Sequence, residues 1–140
     1  MTSLSLALAI LCAFSQVDCQ TAQRVTITQT ATYPGGLAWY DHPHQIITIS
    51  DTVRHPAIIA SLLAHETRNA QDDWTRGLQD CVANENANYG EQYREWVWFL
   101  HTFGPPALTT PDEMAYANQM AMLPLPQQQL AAYSCSIAKP

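Results

Sequence analysis

Residues 56–74, PAIIASLLAHETRNAQDDW, decide how the chain folds. Pro56 suits the first turn of a helix, where its missing N–H costs nothing. Ile58, Ile59, Leu62 and Leu63 then recur at helical spacing as far as Trp74, and Gly77 breaks the chain. Ile58, Leu62, His65 and Asn69 lie 4, 3 and 4 residues apart, so the histidine and the asparagine share the apolar stripe, with Glu66 beside them. Upstream the period is two. Residues 25–32, VTITQTAT, alternate β-branched and polar side chains as a strand does, and Pro34-Gly35-Gly36 signals a turn. Residues 37–41 (LAWYD) and 45–50 (QIITIS) read as a hairpin around Asp41-His42-Pro43-His44. Downstream, a second helix is expected from Leu78 to His101, stopped by Gly104-Pro105-Pro106. A third starts near Pro111-Asp112-Glu113, fades at Leu123-Pro124 and covers the first two, using Met114, Met120 and Met122. A Gln-rich segment, 126–134, follows. The class is α+β: a small N-terminal β-sheet followed by packed helices.

The 140 residues suit a single domain, placed at 21–140, which can bury roughly two-thirds of the chain's surface. Two readings of residues 1–20 are open. The run Leu4–Phe14 is the apolar core of a signal peptide, with cleavage after Ser15, or it is an apolar first helix docked on the domain. The first reading makes the protein exported and the second leaves it cytoplasmic. A stable membrane span needs about 20 apolar residues, so none is expected. Hydrophobic residues reach 47% while charged ones are only 13%, which argues against disorder and leaves a surface of Gln, Asn, Thr and Ser. Net charge is −6, Lys139 is the only lysine, and Arg24, Arg54, Arg68, Arg76 and Arg94 are scattered singly. No nucleic-acid partner is expected, because phosphate binding needs clustered cations. Cys12, Cys19, Cys81 and Cys135 form no C-x-x-C pair, which leaves zinc-ribbon and thioredoxin chemistry without a motif. A Cys81–Cys135 disulfide would require export.

The second helix carries the complementary group. Leu78, Val82, Glu85, Tyr89, Gln92, Trp96 and Phe99 fall alternately 4 and 3 residues apart, which sets Glu85 in the middle of the inner face. A carboxylate there must be protonated, paired with a cation or bound to a metal. Packing the two helices together lets His65 and Glu85 meet.

Residues 62–69, LLAHETRN, resemble the active-site helix of zincin metallopeptidases, in which H-E-x-x-H supplies two zinc-binding histidines and a general base. In the gluzincin branch a glutamate on a following helix is the third ligand, and residues 81–96, CVANENANYGEQYREW, are similar to that helix. The likeness covers about residues 25–100, and small bacterial zincin-like proteins of unassigned substrate share it. It implies a zincin-like architecture, zinc ligands at His65, Asn69 and Glu85, Glu66 as the base acting on a metal-bound water, and a peptide or protein substrate. The sequence departs from the pattern at Asn69, where a second histidine would stand. An amide oxygen is a hard donor suited to calcium or magnesium, and one imidazole with one carboxylate is a poor zinc site. Two functions follow: a zinc peptidase with a weakened or lost metal site, or a catalytically inactive relative serving binding or structure. Asp72 and Asp73 lie roughly 10–12 Å further along the helix, too far to share an ion with His65. His42, His44 and His55 read as turn and cap residues. The sequence carries no signal for substrate or oligomeric state.

Overall fold

A computed structural model describes residues 2–31, 36–77, 80–123 and 127–136, apart from the side chains of residues 76 and 128. Pro34, Gly35, Leu78, Pro124 and Lys139 lie outside the described residues. Two helices open the chain, α1 (Ser3–Phe14) and α2 (Gln16–Arg24). Three strands follow, β1 (Thr26–Thr30), β2 (Ala38–Asp41) and β3 (Ile46–Ser50). The rest is helical: α3 (Pro56–Arg76), α4 (Cys81–Phe103), α5 (Pro111–Met122) and α6 (Gln127–Ser136). The α+β class and the sheet-then-helices order are those read from the sequence, with α1 and α2 added in front of the sheet. Ala7 and Leu11 of α1 are fully buried, and α1 packs on α3. Among the described residues no helix is long and apolar enough to cross a membrane.

The sheet order is β1-β3-β2. Strands β2 and β3 form the expected hairpin, and β1 pairs with the far side of β3 in parallel. The central strand is therefore the buried one, with Ile47 and Ile49 fully enclosed, while β1 is mostly exposed. Asp41 holds the hairpin turn by accepting from the His44 backbone N–H at 3.3 Å. At its tip Gln45 takes a left-handed φ of 56°. Asp73 of α3 then fastens the hairpin, accepting from the Tyr40 hydroxyl at 3.0 Å and bonding His42 Nδ1 at 3.1 Å. This lays β2 alongside α3.

Helix ends follow their sequence signals. His55 caps α3 through Nδ1, which accepts from the Ala57 N–H at 3.1 Å, and Pro56 fills the first turn. Gly77 and Gly104 close α3 and α4 at φ 74° and 82°, where a side chain would be strained. At the start of α5, Thr110 and Glu113 form a capping box. Glu113 does more than cap. Its Oε2 accepts from the backbone N–H groups of Arg54 at 2.8 Å and His55 at 2.6 Å, and its Oε1 accepts from those of Thr109 and Thr110, each at 3.2 Å. Burial opposes the charge, but these N–H groups outweigh it and hold the carboxyl down at about 2.

The buried face of α4 differs from the expected stripe. Asn84, Glu85, Asn88, Gln92, Glu95, Trp96 and Phe99 are buried, whereas Val82 is 38% exposed. Contacts with α1, α3 and α6 turn the enclosed side towards Asn88 and Glu95, leaving Val82 on the flank. Of the α5 methionines only Met120 is buried; Met114 and Met122 are 48% and 62% exposed. The Gln-rich segment forms a helix, α6, packed on α4 and joined to its first turn by the Cys81–Cys135 disulfide. A second disulfide, Cys12–Cys19, ties α1 to α2.

A second polar patch lies under α2. Asp18 accepts from Gln71 Nε2 at 2.7 Å, while neither carboxylate oxygen of the fully buried Glu95 has a hydrogen-bond partner. Burial first and neighbouring Asp18 second push Glu95 up to about 8; burial and then the adjoining Glu91 do the same to Asp18.

Two outcomes are expected from these carboxyl groups. Glu113→Gln should cost about 2 kcal/mol at neutral pH through the loss of a charged acceptor. Because the Glu113 pKa is depressed, its stabilisation is present above about pH 4.5 and fades as pH falls towards about 2, so acid urea titrations of parent and variant should converge there. Glu95 is the opposite case, with a raised pKa whose penalty grows as pH climbs from about 4.5 through about 8. Glu95→Met is expected to stabilise the protein by about 2 kcal/mol above pH 8 and by less in acid; a loss at both extremes would contradict this.

Candidate functional site

The site is built where α3 crosses α4. His65 and Glu66 sit at mid-helix on α3, and Glu85 and Gln92 two turns apart on α4; all four are buried. His65 Nε2 lies 3.2 Å from Glu85 Oε2 and 4.0 Å from Glu66 Oε2. On the other side of the ring, Nδ1 meets Gln92 Oε1 at 2.7 Å. The orientation of that amide follows from its far end, where Gln92 Nε2 donates to the Tyr116 hydroxyl at 2.7 Å. Tyr116 in turn pairs closely with Ser61 Oγ, and Ser61 donates to the Gln92 backbone carbonyl at 3.3 Å. Glu85 is steadied by Asn88 Nδ2, which donates to Oε1 at 3.2 Å. Tyr89 stands edge-on to the imidazole with ring centres 4.7 Å apart.

Gln92 Oε1 can only accept, so Nδ1 carries a proton in either charge state of His65. Burial alone would favour neutral imidazole. The Glu85 carboxylate, and after it Glu66, outweigh burial and push His65 up to about 9. At neutral pH the ring is therefore an imidazolium that donates from both nitrogens. Burial keeps Tyr116 protonated, its phenol raised above the ordinary range.

A cavity of about 210 Å³ opens beside this pair. His65, Glu66 and Glu85 form its charged wall, Gly36–Ala38 bring in the start of β2, and Leu130, Tyr133 and Ser134 of α6 complete the rim. Ser134 also bonds the Tyr89 hydroxyl at 3.0 Å, so α6 is fixed over the opening. The Ser50 N–H donates to the Leu37 carbonyl at 2.7 Å, and pairing alternates along an antiparallel ladder. Residues 37, 39 and 41 thus turn their backbone towards β3, and Ala38 and Tyr40 turn theirs to the outer edge.

The sequence brought His65 and Glu85 to one point, and so does the fold. Asn69, the third residue assigned by resemblance to zinc, is half-buried one turn further along α3 and does not line the cavity. Among the described residues no group of three or more His, Cys, Asp or Glu side chains is placed to hold a metal. His65 and Glu85 by themselves supply two of the three protein ligands that a zinc site takes. Asp72 is used elsewhere, accepting from Arg68 Nε at 3.3 Å, and Asp73 holds the hairpin. His44 pairs with Asp41 at 2.9 Å and His55 caps α3, the turn and cap roles expected of them. The supporting parts that sequence reasoning missed are Gln92, Tyr116 and Ser61. Gln92 stood on the predicted inner face of α4, and a buried amide two turns from Glu85 was the available signal. The chain matches no family model, no curated protein and no solved structure.

Removing the acceptor should unmake the pair. Glu85→Gln is expected to destabilise the protein by about 3 kcal/mol, since it removes the carboxylate that keeps buried His65 charged. In the parent the raised His65 pKa contributes stability that is complete below about pH 6.5 and is lost as pH rises through about 9. In the variant that alkaline loss should vanish, and the His65 ring should titrate near or below pH 6.5 by NMR. An unchanged titration would contradict the arrangement.

Proposed function

We propose that this chain is a zincin-like domain in which the metal site has given way to a buried ion pair, and that it binds an extended peptide segment without cleaving it. The observation that carries this reading is the closed His65–Glu85 contact at 3.2 Å, in which the two strongest zinc donors of the cavity satisfy each other. The missing second histidine agrees with it, because Asn69 brings no imidazole to the cavity. The peptide assignment is supported by β2. It is an edge strand of the sheet, its outer backbone groups at Ala38 and Tyr40 can extend the ladder by one strand, and its first residues border the cavity. A segment added there would direct a side chain towards His65, Glu66 and Glu85. The pairing of all four cysteines fits an oxidising compartment.

One observation favours a second reading, a weak zinc peptidase. Gln92 holds the Nδ1–H of His65 and leaves Nε2 turned to both carboxylates, the orientation in which metal-bound histidines are commonly fixed. Glu66 would then be the base and Glu85 a ligand, as the resemblance implies.

Metal binding separates the two. For the binding protein, neither chelator nor added zinc should move the melting temperature, and protein purified without chelator should hold no stoichiometric zinc by mass spectrometry. Asn69→His, which restores two imidazoles one turn apart, should raise zinc affinity by about tenfold or more. Stoichiometric zinc in the parent, with peptide hydrolysis that chelator abolishes, would overturn the proposal in favour of the peptidase.

A further inference from the structure

Helix α2 has nine residues, and its buried ones are Asp18, Thr21 and Ala22. So short a helix is marginal in water, and its docking contacts decide whether it persists. Asp18 reaches both long helices. Its Oδ1 accepts from Gln71 Nε2 of α3 at 2.7 Å, and Thr21 Oγ1 accepts from the same nitrogen at 3.1 Å. Towards α4, the Asp18 carboxyl is hydrogen-bonded to the carboxyl of Glu91. Two carboxyl groups share a hydrogen bond only while one of them holds a proton. Asp18 is 1% exposed, which keeps bulk water from screening the contact.

Charged groups face Asp18 from two elements. On α4 these are Glu91 and, one turn further on, the fully buried Glu95, which also neighbours the Tyr116 phenol of α5. On α3 it is Arg68, whose Nε is bonded to Asp72 at 3.3 Å. Arg94, itself largely exposed, holds Glu91 from the solvent side at 2.6 Å. Helix α1 and strand β1 also pack on α2; they carry no titratable side chain besides Cys12, which is in a disulfide. Burial, and after it Glu91, outweigh Gln71 and Arg68 and raise Asp18 to about 8. Burial opposes the Glu91 charge as well, but Asp18 and Arg94 prevail and lower Glu91. The shared proton therefore resides on Asp18.

We propose that the Asp18–Glu91 carboxyl pair is a proton-dependent latch that holds α2 against the α3–α4 pair, and that α2 swings away when the pair loses its proton. With the proton gone, the bond becomes a contact between two carboxylates, and release lets Asp18 ionise in water. The freed helix stays tethered at both ends, to α1 through Cys12–Cys19 and to β1 through Val25. Its movement uncovers Gln71 and the Asp18 side of Glu95.

The test is hydrogen exchange on the full-length oxidised protein, expressed as protection factors so that the intrinsic pH dependence cancels. A linked proton makes opening about tenfold easier per pH unit between roughly pH 4 and the raised value. Between about pH 5 and pH 7, α2 protection is expected to fall at least tenfold more than that of α4. Asp18→Asn supplies an amide N–H where the proton stood, and should confine that fall to within about threefold. Glu91→Gln offers the same donor from the other side and should act alike. In the parent, the Asp18 carboxyl carbon should titrate near 8 by NMR, a readout that needs no variant. Equal loss of protection in α2 and α4 would overturn the latch, because the whole domain would then be opening. A fall that persists in both amide variants, or an Asp18 titration near 4, would overturn the shared proton as its cause.

Discussion

An imidazolium and a carboxylate enclosed between α3 and α4 cannot be moved apart cheaply, because either one left alone in the interior would be a buried, unpaired charge. Their mutual attraction offsets desolvation only while the contact is kept near 3.2 Å. That requirement fixes the separation of the two longest helices and their rotation about their own axes. The supporting residues serve the same end. Gln92 holds the back of the His65 ring, Tyr116 holds Gln92, and Asn88 holds Glu85, so the pair is oriented by groups from α4 and α5 as well as α3. The cavity inherits its shape from this network. Its charged wall is held by these bonds, and β2 and α6 supply further parts of its lining.

Glu113 plays the corresponding part at the entry to α3. One carboxylate gathers backbone N–H groups from residues 54 and 55 and from residues 109 and 110, so two helix starts share a single anion. The arrangement satisfies donors that both helices would otherwise leave without partners. It also locks α5 against the point where the sheet hands over to α3. Tyr116 is carried on α5 one turn beyond, which connects the anchoring of that helix to the support of His65.

Much of this was legible from spacing alone. The period-two strands, the period-3.6 stripe through Ile58, Leu62 and His65, and the glycines at 77 and 104 are local signals, and local signals survive in one sequence. His65 and Glu85 could be brought together because each occupies the middle of an apolar face. What stayed hidden depends on contacts between distant residues. Thr110 and Glu113 announce a capping box, but nothing local announces that the same carboxylate reaches Arg54 and His55. The parallel pairing of β1 with β3 is equally nonlocal. Val82 shows the limit of a stripe read from one helix, since its exposure is set by which neighbours cover α4. The α6 helix was missed because glutamines mask a thin apolar pattern that only Leu130 and Ala131 sustain.

The Cys81–Cys135 bond joins residues 54 positions apart and closes a loop that contains α4, α5 and the link between them. Topologically, the half of the chain that carries Glu85 and Gln92 is a ring. A protease that cuts the exposed Phe103 turn, or any other bond within the ring, opens it without releasing a fragment. The nicked chain stays joined through the bridge until a reductant reaches it. A chain cut once inside this ring remains one covalent piece, so an unbroken backbone and a connected cavity wall are separate properties here.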